Sequence, residues 1–97
     1  MSNETIIERV IEVCDQFMEN KISIIELGSN VYAHGRALEG LGNDWEELIM
    51  SFEGECDYIN EVELPKKHYE LGVQLIENLK SFLCNKYPEL FNENRKA

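Results

Sequence analysis

Apolar residues recur along this chain at steps of three and four, the spacing that lines up side chains on one face of an α-helix. Ile6, Ile7, Val10, Ile11, Val13, Cys14, Phe17 and Met18 fill one face of a helix predicted from about Asn3 to Asn20. Glu4, Glu8, Glu12, Asp15 and Glu19 fill its other face, with no partner of opposite sign among those five. Ser2 or Asn3 is placed to cap it, and Glu4 suits the positive end of its dipole. A second helix opens at Ser23-Ile24-Ile25-Glu26, which has capping-box spacing, and carries the narrow seam Ile24, Leu27, Val31 and Leu38. Gly28 and Gly35 interrupt that seam, where close packing or a kink is expected, and Gly40-Leu41-Gly42 is its stop signal.

Asn43-Asp44-Trp45-Glu46 reads as the cap of a third helix, with Trp45, Leu48, Ile49, Phe52, Cys56 and Ile59 as its buried stripe and Gly54 expected to weaken or bend its middle. Pro65 ends that segment and suits the first turn of a fourth helix, spanning roughly Lys66 to Asn85 with Tyr69, Val73, Leu75, Ile76, Leu79, Phe82 and Leu83 on its apolar side. Pro88 closes it, leaving 89–97 as a polar tail. No segment alternates with the two-residue period of a strand, and no hairpin dipeptide joins apolar runs. The expected fold is all-α: one four-helix bundle over residues 1–97, with room for short extra turns.

Composition narrows the function. At 97 residues the chain has the size of one domain, and its 43% apolar content is too high for a disordered acidic tail. No apolar run reaches the ~18 residues needed to cross a bilayer, and the acidic start MSNETIIERV is unlike a signal peptide, so a cytoplasmic location without membrane contact is expected. A net charge of −10 argues against nucleic-acid binding and for a basic partner.

That charge is concentrated. Residues 37–65 hold nine acids and no Lys or Arg, residues 1–36 have a net charge of −3, and residues 66–97 have +2. Like charges four residues apart destabilise a helix by a few tenths of a kcal/mol per pair, so folding alone favours interspersed lysines. A solvated face kept acidic for solubility is the plainer reading. Met50, Tyr58 and Trp45 lie on or near this segment, however, and Met and aromatic side chains are what interfaces use as anchors. The candidate partner-binding residues are therefore Glu46, Glu47, Met50, Glu53, Asp57, Tyr58 and Glu61.

Catalytic and metal chemistry find no motif. Counted from Glu53 as a calcium loop, the sixth position is Tyr58 rather than Gly and the twelfth is Leu64 rather than Glu. Cys14, Cys56 and Cys84 are far apart with no CxxC pair, which suits buried thiols rather than a disulfide framework or a zinc site. His34 and His68 have no matched ligand spacing, there is no Glu-x-x-His pair, and Gly40 and Gly42 lack the third glycine of a dinucleotide loop. No enzyme, metal or cofactor is expected.

The stretch DWEELIMSFEGECDYINEVELPKKHYE carries a Trp, an apolar pair, a Glu-x-Asp element and an extended turn with Pro before the last helix, at Trp45, Phe52, Glu55, Asp57 and Pro65. It resembles a segment of small bacterial immunity proteins that accompany polymorphic toxins, including those of contact-dependent growth inhibition systems. It departs from that pattern in the long step Ile59-Asn60-Glu61-Val62-Glu63 before Pro65. In charge and expected architecture the chain is also similar to the nuclease-colicin immunity proteins, although none of their binding residues can be carried onto it. The resemblance implies a toxin-neutralising chain whose partner is the basic C-terminal domain of a cognate toxin, a nuclease with ribonuclease favoured, bound so that its cleft is covered or flanked. Two other classes stay open: an acidic nucleic-acid mimic that blocks a DNA-binding protein, and a structural bundle with no partner for its acidic face.

Overall fold

The computed structural model describes residues 2–91. They form an all-α four-helix domain: α1 (Asn3–Met18), α2 (Ile24–Gly35), α3 (Gly42–Val62) and α4 (Pro65–Lys86), followed by a short 3₁₀ turn, Pro88–Leu90. The apolar stripes meet in one core built from Ile7, Val10, Leu27, Val31, Trp45, Ile49, Ile76, Leu79 and Leu83, all almost wholly enclosed. α2 packs most extensively on α3 and next on α1, while α4 lies against both α1 and α3. A Cα radius of gyration of 13.1 Å matches the ~13 Å expected for about 100 residues.

Local chemistry explains most of the boundaries. The Ser2 hydroxyl accepts a hydrogen bond from the Thr5 amide at 3.2 Å, and Ser23 and Glu26 complete a reciprocal capping box at 3.1 and 2.9 Å. Pro65 begins α4, where its missing N–H is one no helix would use. Asn3 ties three parts of the chain together. Its side-chain amide donates to the Glu39 carbonyl at 2.7 Å and to the Tyr87 hydroxyl at 3.1 Å, and its oxygen accepts from the Glu39 amide at 3.2 Å.

The structure corrects four expectations from the sequence. α2 stops at Gly35, several residues before the glycine signal, because Trp45 stands against Gly35 and donates its indole N–H to the Gly35 carbonyl at 2.8 Å. Leu38 leaves the helical seam, yet is buried in the connector that follows. The box at Asn43 does not form. Gly40 and Gly42 take φ of +83° and +79°, conformations that glycine adopts without strain, and turn the chain on either side of half-buried Leu41, so Asn43 falls inside the first turn of α3. α3 is helical on both sides of Gly54, which neither supports nor contradicts the expected weakening or bend there.

The fourth correction concerns the tail. Leu90 and Phe91 are half-buried against the core, and the rest of the expected polar tail, 92–97, lies outside the described residues. Tyr69 sits at the edge of the core rather than within it. Its ring stacks on Phe17 at 5.8 Å, and its hydroxyl donates to the Met18 carbonyl at 3.1 Å.

Three glycines admit neighbouring groups that a larger residue would exclude. A Cβ on Gly28 would lie 2.8 Å from the Cys56 Cβ, one on Gly35 2.9 Å from the Trp45 ring, and one on Gly72 2.5 Å from the Phe17 ring. The close packing expected at Gly28 and Gly35 is present, and Gly72 provides the same service between α4 and α1.

Candidate functional site

The third helix gives its inner side to the core through Trp45, Ile49, Phe52, Cys56 and Ile59. At about 100° per residue, the outward direction then falls on Glu47, Met50, Gly54, Asp57, Tyr58 and Glu61. Met50 is 62% exposed and Tyr58 60% exposed, although transfer of either side chain out of water is favourable. Val62 at 54% and Leu64 at 61% continue the exposed apolar line toward α4. Among the described residues, the only other exposed large hydrophobic side chain is Tyr69.

Glu46, Glu47, Asp57 and Glu61 are exposed around these apolar residues. Glu53 differs. It is half-buried, because the glycine at position 28 lets α2 approach until a Cβ there would be 3.5 Å from the Glu53 Cα. Of the seven candidate residues, five therefore share the open side of α3, Glu46 is exposed on its flank toward the end of α2, and Glu53 borders its contact with α2. Val62 and Leu64 were missing from the sequence-derived set. Their signal was present in the chain, since Val62 lies four residues after Tyr58 on the same helical ridge.

The acids of the 37–65 segment form no ion pair with another described residue. The two ion pairs among the described residues are Lys21–Glu19 at 3.0 Å and Lys80–Asp15 at 3.6 Å, both outside the segment. A shallow cleft of about 240 Å³ opens beside Met50, between the end of α2 and the start of α3. Trp45, Ile49 and Leu38 line it together with Tyr32, Arg36 and Glu46, and the Arg36 guanidinium lies 5.5 Å from the Tyr32 ring centre. Its volume is below the 300 Å³ or so at which small-molecule sites usually begin, and it suits a single inserted side chain better than a substrate.

The remaining candidates for chemistry are scattered. Cys14 and Cys56 are wholly buried, and burial pushes both thiols up from 9.0 to about 12, which suppresses the reactive thiolate. Cys84 is half-buried. His68 lies on α4 with Nε2 3.0 Å from the Glu63 carbonyl oxygen, while His34 is on α2. Among the described residues, no three His, Cys, Asp or Glu side chains gather in a way that could hold a metal ion. No described helix is long and apolar enough to cross a membrane. In comparisons with known proteins, the chain matches no family model, no curated protein and no solved structure.

Proposed function

We propose that this chain is a cytoplasmic immunity protein that binds and neutralises a cognate basic toxin domain, a nuclease with ribonuclease favoured, through the open side of α3. The observation that carries this reading is the combination on one helix face of exposed Met50 and Tyr58 with acids that form no ion pair among the described residues. A nuclease holds phosphates in a basic cleft. An acidic face attracts such a cleft over distance and raises the encounter rate by one to three orders of magnitude at low salt. The apolar side chains then slow release, as buried aromatic and Met anchors do in other interfaces. Inhibition follows from covering or flanking the cleft, and this chain performs no chemistry. A nucleic-acid mimic would use the same carboxylates, but it has no use for two large apolar side chains at their centre. That difference favours a protein pocket over a DNA-binding surface.

The test is protection of cells. The gene directly upstream is read first, and if it encodes a polypeptide with a basic C-terminal domain, that candidate toxin domain is expressed with this chain or with its Asp57→Lys/Glu61→Lys variant. Native chain should restore growth, and the variant should fail while remaining soluble and helical. Full protection by the variant would remove α3 from the interface.

A further inference from the structure

Gly54 has no structural reason to be glycine. In a helix interior glycine is less favourable than alanine by up to ~1 kcal/mol, a cost that close packing can justify. At Gly28, Gly35 and Gly72 it does, since a Cβ would meet a neighbour within 3 Å. At Gly54 an added Cβ meets no described residue within 4 Å, the residue is exposed, and α3 is helical on both sides of it. Yet Gly54 stands midway between Met50 and Tyr58, at four-residue steps along one ridge of α3. Two exposed apolar side chains thus flank a notch where the helix backbone is bare.

Resting on the toxin-binding reading above, we infer that Gly54 is the point of closest approach of the partner, where a basic segment of the toxin domain seats against the α3 backbone between Met50 and Tyr58. Glycine is the residue that lets another chain come that close. Ridge-into-groove packing, in which a side chain of one element fills a gap in the facing one, supplies the geometry. The occupant is basic because the rim, Glu47, Asp57 and Glu61, is acidic and the segment from 37 to 65 contains no Lys or Arg. A second copy of this chain would bring the same negative face against itself.

Gly54→Ala isolates the claim, because it adds one methyl group to open space, favours the helix and leaves every charge in place. Binding to the candidate toxin domain is measured by calorimetry for the native chain, for Gly54→Ala, for Asp57→Lys and for Gln74→Ala, a control on the exposed side of α4. Gly54→Ala should raise the melting temperature yet weaken binding about tenfold or more, equivalent to about 1.4 kcal/mol, while Gln74→Ala leaves binding unchanged. If Asp57→Lys weakens binding and Gly54→Ala does not, the inference about Gly54 fails while the toxin-binding reading stands. If the native chain does not bind the domain, both fail. If the native chain sediments as a dimer that Gly54→Ala dissociates, the occupant is a second copy and a basic partner is overturned.

Discussion

Gly28→Ala tests whether the α2–α3 contact is as close as the structure shows. The new methyl carbon would lie 2.8 Å from the Cys56 Cβ and 3.2 Å from its Sγ, with the Glu53 Cα at 3.5 Å. Cβ is fixed to the backbone, so no rotamer change relieves the first contact, and the two helices must separate. Overpacking costs about 1–3 kcal/mol, here about 2–3 kcal/mol because neither carbon can rotate away, and the better helix propensity of alanine returns about 1 kcal/mol. The net expectation is a loss of about 1–2 kcal/mol, read from urea unfolding followed by circular dichroism. At about 4–8 °C per kcal/mol for a domain of this size, the melting point should fall by roughly 4–16 °C. Cys56→Gly removes the opposing Cβ, whereas Cys56→Ala keeps it. Combined with Gly28→Ala, the first change should recover on the order of 1 kcal/mol relative to additivity and the second should recover far less. Neutral or stabilising Gly28→Ala, or strictly additive effects with Cys56→Gly, would show that the helices are not in the contact described.

Truncation of the core at Phe52→Ala or Leu79→Ala should each lower stability by about 3 kcal/mol in the same urea assay, since both side chains are enclosed and leave a cavity; two neutral variants would mean that the packed stripes are misassigned. Cys14 and Cys56 predict a loss of stability at high pH. Their thiols are held up to about 12 in the folded chain but ionise near 9.0 once unfolded, so above that value the unfolded state binds fewer protons and stability falls as pH rises toward 12. The slope is about 1.4 kcal/mol per pH unit for each thiol, and a Cys14→Ala/Cys56→Ala variant should lose that part of it in unfolding curves from pH 8 to 11.

What could be read in the sequence was what local spacing determines. The stripes of α1 and α4, the Ser23 box and the proline that opens α4 all depend on residues within one or two turns of each other, and apart from Tyr69 at the edge of the core they are found where the pattern puts them. The end of α2 was not local. Leu38 continues the seam by spacing, and only an indole arriving from α3 makes Gly35 the place to stop. Asn43 has the right chemistry for a cap but lies two residues past the cap position, Leu41, because two left-handed glycines set the turn. The open side of α3 was legible as a periodicity, Met50 and Tyr58 included. The half-burial of Glu53 was not, since it depends on how near Gly28 allows another helix to come. The special position of Gly54 emerges only by contrast with the other helical glycines, whose neighbours are distant in the chain.

The central claim is that the acidic, apolar-centred side of α3 recruits a basic toxin domain, and stopped-flow association rates test it most directly. The native chain and Asp57→Lys/Glu61→Lys are mixed with the candidate toxin domain at low salt and at physiological ionic strength, where the screening length is about 8 Å. Native association should be fast and should slow steeply as salt is added, and the variant should associate about tenfold or more slowly at low salt with little change in dissociation. Equal rates for the two proteins, with no dependence on salt, would contradict the account.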